Sequence, residues 1–273
     1  MKHITHACPE RYAILARADR YVVQPFYADG KPLIGDAFRW GMTLKKAGSM
    51  RFRWDETNEA RDGLLKEIVS KRSDFQENVR YEIVPLELIH SKTVYAVSSA
   101  GDTYGLQGDG ILTVNALLMP VVTAADCMPI FFYERECGVF GVVHSGWKGT
   151  GIVSEAISMI KKIYKGDPHR ISVALGSHIR NCCYIVDKER ASYFKKNFCE
   201  DCVSEYDGTK RYRLSLEKAN LFLLEKAGIL DENVVVCDDC TKCDDRFGSF
   251  RGETGGDIKK TFTVQAAFCG RIG

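Results

Sequence analysis

A strongly apolar segment that runs directly into a glycine-rich turn constrains this 273-residue chain more than any other feature. Residues 138–144 carry the sequence Gly-Val-Phe-Gly-Val-Val-His, and residues 145–151 contain three glycines. After the turn, apolar side chains recur at the spacing of one helix face: Val153, Ala156, Ile157, Ile160 and Ile163. The segment therefore predicts a buried strand, a tight turn and an amphipathic helix packed against a sheet.

The rest of the chain alternates between helical and extended patterns. Helical spacing recurs in residues 56–71, 188–198 and 215–227. Runs of β-branched and apolar residues predict strands in 21–26, 38–40, 81–89, 92–98, 111–114, 121–123, 129–133, 171–175, 234–236 and 261–267, and 237–256 predicts a loop-rich tail. Several strands follow one another without helices between them. We therefore expect an α/β (α+β) fold, a mixed β-sheet with helices packed outside it, in a single domain over residues 1–273. Residues 1–80 are the hardest to interpret.

The charge balance argues against a nucleic-acid partner. The net charge is +2, from 38 basic and 36 acidic residues, whereas a protein that neutralises phosphates usually has a stronger positive bias. Residues 1–20 lack the apolar core of a signal peptide, and no stretch approaches the ~20 apolar residues that cross a bilayer. We expect a cytoplasmic protein, a monomer or weak homodimer without a membrane partner, whose eleven cysteines are mostly reduced thiols.

Three residues, His90, Cys127 and His144, stand where an apolar run meets a loop, which is where a rigid scaffold presents functional groups. Two imidazoles and a thiolate form a good ligand set for catalytic zinc, because three protein ligands leave a fourth position for water or substrate. The alternative is that each is a separate core residue, since cysteine is among the most buried residue types. Separations of 37 and 17 residues do not by themselves identify a metal site.

Two neighbouring features have two interpretations each. Asp126, next to Cys127, could orient a metal-bound histidine, or it could be a turn residue that satisfies backbone N–H groups. The glycine turn at 145–151 could hold an anion at the start of the following helix, with Lys148 adding a charge, or it could be only a tight connection. It is not a nucleotide P-loop, because the Gly-Lys-Ser/Thr ending is absent.

The remaining cysteines include two short runs with metal-ligand spacing. Cys199 and Cys202 form one C-x-x-C unit, and Cys237, Cys240 and Cys243 form a second, longer run. Paired units of this kind can make a structural zinc site, although the 34 residues between the runs are more than the common spacer. Cys182 and Cys183 are adjacent and are poor disulfide partners for each other.

Several segments, taken in order, resemble the multicopper polyphenol oxidoreductase (laccase-like) family, which is also regarded as a family of purine nucleoside phosphorylases. They are His90-Ser91, Gly108-Asp109-Gly110, residues 123–129 (Thr-Ala-Ala-Asp-Cys-Met-Pro), residues 143–149 (Val-His-Ser-Gly-Trp-Lys-Gly), residues 175–186 with Cys182-Cys183-Tyr184, Cys240-Thr241 and residues 247–251. The likeness covers roughly residues 80–260, and residues 1–80 diverge. Leu88, Ser177 and Gly252 replace a glutamine, a proline and an arginine of the family pattern.

The resemblance implies a mixed β-sheet sandwich and a zinc site at His90, Cys127 and His144. It also implies phosphorolysis of adenosine, inosine or guanosine. Adenosine deamination and methylthioadenosine phosphorolysis are implied as side activities. Lys148 and Arg251 are the candidates for contacts with phosphate. Zinc is expected rather than copper, because one site of two histidines and one cysteine cannot assemble a multicopper relay. Two alternatives stay open: a hydrolase that edits a misincorporated amino acid in peptidoglycan precursors, and a non-catalytic metal-stabilised binding protein.

Overall fold

The computed structural model describes residues 1–4, 15–17, 19–72 and 74–272. Most of the N-terminal stretch from which we predict no export signal, including Cys8, lies outside these ranges. The strands in the described residues are β1 (Lys2–Ile4), β2 (Leu15–Arg17), β3 (Tyr21–Pro25), β4 (Tyr27–Ala28), β5 (Lys31–Pro32), β6 (Phe38–Thr43), β7 (Glu82–Pro85), β8 (Val94–Val97), β9 (Gly110–Thr113), β10 (Leu118–Ala124), β11 (Met128–Glu134), β12 (Phe140–Ser145), β13 (Ile171–Leu175), β14 (Ile185–Val186), β15 (Val203–Glu205), β16 (Tyr212–Leu214), β17 (Val234–Cys237) and β18 (Gln265–Arg271).

The helices of the same described residues are fewer. They are α1 (Glu59–Val69), α2 (Ile152–Ile163), α3 (Lys188–Asn197), α4 (Leu216–Lys226) and α5 (Phe250–Thr254), with 3₁₀ turns at Lys45–Ala47, Ala100–Thr103, Pro168–Arg170, Glu200–Cys202 and Asp231–Asn233. None of the helices in the described part of the chain is long and apolar enough to cross a membrane.

Two large mixed sheets carry most of the strands. The first has the order β1-β17-β13-β11-β12-β9-β8, and its centre, β11, pairs antiparallel with both β12 and β13. The second has the order β2-β3-β6-β18-β10-β7, in which β10 pairs antiparallel with β18 and parallel with β7. The chain passes from the second sheet to the first between β10 and β11, so residues 125–127 lie at the end where both sheets meet.

The two sheets pack face to face over a core of large side chains. Trp40 of the second sheet stacks on Phe131 of the first with ring centroids 5.0 Å apart, and both are fully buried. Phe140 and Val142 of β12 and Ala267 of β18 belong to the same cluster. Strands buried on both faces have near-continuous apolar sequences, which is why residues 128–133 and 139–143 lack polar alternation.

Helices cover the outer faces of both sheets. The apolar face of α2 packs on the first sheet through Val153, Ala156, Ile157 and Ile160, whereas Leu64, Leu65 and Ile68 of α1 pack on the second sheet. The expected mixed α/β sandwich with outer helices is confirmed. Ile163 is a correction, because the helix turns it into solvent, where it is 55% exposed.

The C-terminal region differs from the sequence prediction in two places. The tail expected to be loop contains the short helix α5, which begins after Ser249, whose side chain accepts a hydrogen bond from the Gly252 N–H. The last strand begins at Gln265 rather than 261 and pairs with both β6 and β10. Residues 261–264 stay outside the sheet, and the Thr263 N–H donates to Glu253.

Candidate active site

A buried carboxylate, Asp109, organises the site from the residue before β9. Its Oδ1 accepts from the backbone N–H of His90 at 3.0 Å, and its Oδ2 accepts from the N–H and hydroxyl of Ser91 at 2.6 and 2.7 Å. The same Oδ1 lies 3.0 Å from Nδ1 of His144. These bonds hold the loop before β8 against the end of β12, so that two residues 54 positions apart share one anchor.

The three residues expected to bind metal lie together. One ligand atom from each of His90, Cys127 and His144 falls within 4.8 Å of the others. His144 is held by β12, Cys127 lies directly before β11, and the register pairs Pro129 with His144. The two imidazole rings meet edge to face, with centroids 5.0 Å apart and planes at 84°. His90 is the exposed member and His144 the buried one, so the group opens to solvent on the His90 side.

Cys127 and His144 shift each other's protonation in opposite directions. Burial alone would raise the pKa of the Cys127 thiol, but the charge and hydrogen bonds of His144 and His90 lower it to about 6. Burial alone would lower the pKa of His144, but the Cys127 thiolate and the Asp109 carboxylate raise it to about 10. These opposite pKa shifts favour a thiolate beside an imidazolium, and a bound metal cation would take the place of the proton between them.

Gly146, directly after β12, leaves room for this group. A side-chain carbon at this position would lie 2.8 Å from Cys127 Sγ and 3.3 Å from His90 Cδ2. Any other residue would therefore displace Cys127 Sγ and crowd the His90 ring. Two imidazole nitrogens and one thiolate, left uncovered by a glycine, fit the ligand set of a catalytic zinc ion.

Asp126 departs from the role in which it orients a histidine. Its Oδ1 accepts from the Thr241 hydroxyl at 2.8 Å, and its Oδ2 accepts from the Arg251 N–H at 2.7 Å. Its φ of 77° lies in the left-handed region, where its carboxylate points toward the C-terminal loop. The contact with a histidine, one of the two possibilities for Asp126, is made by Asp109. Asp126 accepts a backbone N–H, as in the other interpretation, and fixes the loop that carries Arg251.

A cavity of about 1030 Å³ opens above the three residues. The described residues that line it include six cationic side chains against one carboxylate, Asp126. The cationic ones are Arg51, Arg53, Arg190, Arg211, Lys242 and Arg251, and the aromatic ones are Trp147, Tyr184, Tyr206, Phe250 and Phe262. This excess of positive charge favours the binding of anionic groups in the cavity.

Two cations of the cavity wall lie over aromatic rings. The Arg190 guanidinium lies 4.2 Å from the centroid of Trp147, and that of Arg251 lies 4.7 Å from the centroid of Tyr184. Arg251 Nη1 also donates to the Ile185 carbonyl at 2.6 Å, which leaves its other donors free to turn inward. These contacts fix the direction of two charges beside the candidate metal ligands.

The two residues predicted to contact phosphate lie in different places relative to the cavity. Arg251 lines the cavity, whereas Lys148 is exposed on the turn after β12 and is not among the lining residues. Lys148 Nζ lies 5.5 Å from the Trp147 ring centroid.

Sequence analysis missed Asp109 as an anchor and Arg190 as a cavity residue. An aspartate between two glycines at a strand entry was the available signal for Asp109, because a carboxylate there is free to accept backbone N–H groups. Arg190 lies in the first turn of α3 and looks like an ordinary surface residue until the fold brings that helix beside Trp147.

The two C-x-x-C runs do not combine into one metal site, in agreement with the long spacer between them. Cys199 and Cys202 form a disulfide with each other, with Cα atoms 5.5 Å apart, so this pair is not reduced as expected. The 3₁₀ turn between them brings the two Cα atoms to a distance that a disulfide spans. Cys237 is buried in β17, in the core between the sheets. Neither run therefore supplies the whole ligand set that its spacing suggested.

Comparison with known proteins places this geometry in a family. The family model described as multi-copper polyphenol oxidoreductase laccase matches residues 39–261. The chain is 30% identical over 233 residues to the purine nucleoside phosphorylase LACC1 of Mus musculus, a match that covers 78% of this chain and 51% of that protein. It thus spans about half the length of the mouse relative.

Two bacterial proteins extend the similarity. The chain is 28% identical over 221 residues to the purine nucleoside phosphorylase YlmD of Geobacillus stearothermophilus, covering 75% of this chain and 79% of that protein. The crystal structure of the hypothetical protein YfiH of Bacillus licheniformis superposes with a TM-score of 0.76 at 22% identity, over 93% of this chain and 97% of that one. That likeness shows the shared fold. Together with the family match over residues 39–261, these findings show that the chain belongs to the multi-copper polyphenol oxidoreductase laccase family.

Proposed function

We propose that the chain is a zinc-dependent purine nucleoside phosphorylase that acts on adenosine, inosine or guanosine. The observation that carries the proposal is the convergence of His90, Cys127 and His144 at a cavity whose wall is both cationic and aromatic. The names of the mouse and Geobacillus relatives support this class of substrate.

The cavity suits a nucleoside together with phosphate. Its volume of about 1030 Å³ exceeds what a single small ligand fills. Aromatic side chains such as Phe250 and Phe262, whose ring centroids are 5.1 Å apart, offer faces and edges for a purine. The cationic side chains offer hydrogen-bond donors for phosphate, for which arginine is well suited because its planar fork binds two oxygens at once.

The proposed reaction is a displacement at the anomeric carbon of the ribose. A phosphate oxygen forms a bond to that carbon while the bond to the purine nitrogen breaks, and the purine leaves with the bonding electrons and takes up a proton. The products are ribose 1-phosphate and the free base. Arg190 and Arg251 would hold the phosphate, and the aromatic side chains would orient the base. A zinc ion held by His90, Cys127 and His144 would supply a Lewis acid beside the substrate.

A direct assay is the release of free base from adenosine, inosine and guanosine with and without inorganic phosphate. We expect release of the base only when phosphate is present. The Cys127→Ala variant should lose this activity, and it should also lose one zinc ion per chain. Arg251→Gln should raise the KM for phosphate about 10- to 100-fold, because a charge-assisted hydrogen bond contributes ~1.5–3 kcal/mol. Lys148→Gln removes the same charge outside the cavity and should leave the KM unchanged. Full activity in Cys127→Ala would refute the proposal.

The same assay separates the alternatives. Ammonia released from adenosine would reveal the deaminase side activity, and 5′-methylthioadenosine in the panel tests the other side activity. Turnover of a peptidoglycan precursor without nucleoside turnover would favour the editing hydrolase. Metal removal that unfolds the protein, with no turnover of any substrate, would favour the binding protein. The cytoplasmic location, the monomer or weak homodimer and the single domain over residues 1–273 stay predictions.

A further inference from the structure

We propose that Cys182, Cys183, Cys240 and Cys243 bind a second zinc ion, one that is structural and separate from the candidate active site. The four sulfurs lie within 4.8 Å of one another. Two of them come from the loop after β13, and two come from the loop after β17. An ion held by all four would join these loops, which are about 60 residues apart in the chain.

The spacing of the sulfurs fits one tetrahedral ion. Cys182 Sγ lies 3.6 Å and Cys183 Sγ 3.3 Å from Cys243 Sγ. Zinc–sulfur bonds of ~2.3 Å in a tetrahedral site place neighbouring sulfurs about 3.8 Å apart, so these two contacts would lengthen by only about 0.2 and 0.5 Å. An iron–sulfur cluster needs a wider cage of cysteines, because several iron and sulfide atoms must fit between them.

Competing disulfides fit the geometry less well. Cys199 and Cys202 are joined covalently, whereas the sulfurs of Cys182 and Cys183 stay 3.6 and 3.3 Å from the sulfur of Cys243. The adjacent pair Cys182 and Cys183 also points both sulfurs toward Cys243 rather than toward separate partners. All four are free thiols, as metal ligation requires.

A backbone N–H group donates a hydrogen bond to one of the four sulfurs, as expected for a thiolate that binds metal. The Arg180 N–H donates to Cys240 Sγ at 3.4 Å, and the Cys243 N–H donates to the Cys240 carbonyl at 3.0 Å, which closes the loop around that cysteine. A hydrogen bond to the sulfur stabilises the negative charge of a metal-bound thiolate and fixes its direction. Each thiol would release its proton to solvent as the ion binds.

The position of the group gives the ion a structural task. Cys183 and Lys242 line the cavity, and Thr241, between Cys240 and Cys243, holds the carboxylate of Asp126. A bridge between His178 and Cys240 already aligns the two loops. With four protein ligands the ion would have no open position for substrate, so it would fasten this wall of the cavity without taking part in chemistry.

Counting zinc atoms per chain tests the proposal without any use of activity. We expect two in the wild-type protein, one in Cys127→Ala and one in Cys182→Ser/Cys243→Ser. Cys137→Ser removes a free thiol outside both groups and should keep two. If the double variant does not fold, the count in Cys127→Ala still decides the matter, because its remaining zinc has to come from the four cysteines.

Spectroscopy and alkylation identify the ligands. Cobalt loaded into Cys127→Ala should give the intense sulfur-to-metal absorption of four thiolates, and Cys182, Cys183, Cys240 and Cys243 should become open to alkylation only after chelation. No zinc in Cys127→Ala, iron in place of zinc, or a disulfide within the group in protein kept under reductant would each overturn the proposal. Failure of the phosphorylase assay would leave these outcomes unchanged.

Discussion

At the scale of single residues, Asp109 is the anchor of the candidate active site. It is fully buried and accepts hydrogen bonds from two backbone N–H groups, one hydroxyl and one imidazole. The bonds from His144 and Ser91 keep its pKa below the ordinary value although burial acts to raise it. A single carboxylate thus sets both the position of His90 and the ring orientation of His144.

Asp109→Asn should weaken zinc binding at the active site about 10- to 100-fold, as is typical when the partner of a metal-bound histidine is changed. The amide presents an NH₂ group where backbone donors need an acceptor, and it no longer orients His144 by charge. Competition with a chelator, in a Cys182→Ser/Cys243→Ser background, measures the affinity of this site alone.

Asp102→Asn is the matched control for this substitution. Asp102 accepts hydrogen bonds from the N–H groups and hydroxyls of Ser98 and Ser99 in a surface 3₁₀ turn. The variant therefore loses a similar set of hydrogen bonds to one carboxylate, but away from the candidate active site. It should retain wild-type zinc affinity. Wild-type affinity in Asp109→Asn as well would show that this carboxylate does not govern the metal ligands.

At the scale of elements, β12, the turn after it and α2 form one unit. Its packing both stabilises the fold and positions the candidate active site. The strand ends with His144 and Ser145, the turn supplies Gly146, and the helix returns over the sheet. Thr150 donates to the Gly146 carbonyl at 2.8 Å, which ties the turn to the start of the helix. The packing of α2 therefore holds the turn beside the candidate ligands.

Ile157→Ala should destabilise the protein by about 2–5 kcal/mol, because the side chain is buried in the core beneath α2 and its loss leaves a cavity. Ile163→Ala, on the same helix but 55% exposed, should cost less than about 0.5 kcal/mol. Chemical denaturation of both variants measures the difference. Equal losses would mean that the helix buries a different face in solution.

At the scale of the whole molecule, buried titratable groups link the fold to pH. His178, beside the proposed second zinc site, is 1% exposed, and its Nδ1 lies 2.9 Å from the Gly176 carbonyl. Burial lowers its pKa to about 4, aided by the nearby Arg180 charge. The ring is therefore neutral in the folded protein at pH values where an unfolded chain would protonate it.

Acid should therefore destabilise the fold between pH ~6.5 and ~4, because in this range His178 binds a proton in the unfolded chain but stays neutral in the folded protein. Above that window the ring contributes no pH dependence. At pH 5 the loss is about 2 kcal/mol relative to neutral pH. The His178→Gln variant lacks this loss. The difference in the free energy of unfolding between wild type and this variant should therefore be smaller at pH 5 than at pH 7.5.

Denaturant titrations at the two pH values give these free energies. His169→Gln is the matched control, because this histidine has an exposed side chain. This variant removes a histidine without opening the core, so it controls for the substitution itself. An unchanged difference for His178→Gln would show that His178 is not the group responsible for acid sensitivity.

The sequence alone determined the order of the main elements and the three candidate ligands. Alternation and helical spacing act between near neighbours, so β12, α2, α3 and α4 could be predicted within a few residues. Imidazole and thiolate chemistry singled out His90, Cys127 and His144 even though spacing did not. The family resemblance added the zinc and nucleoside hypotheses, which local patterns do not contain.

Only the tertiary structure decided which distant residues meet. It gave the histidine contact to Asp109 instead of Asp126, placed Arg251 in the cavity and Lys148 outside it, and joined Cys182 and Cys183 with Cys240 and Cys243. Each of these outcomes depends on loops from different strands reaching the same end of the two sheets. Residue spacing carries no information about such contacts, because chain separation does not limit distance once the sheets have packed.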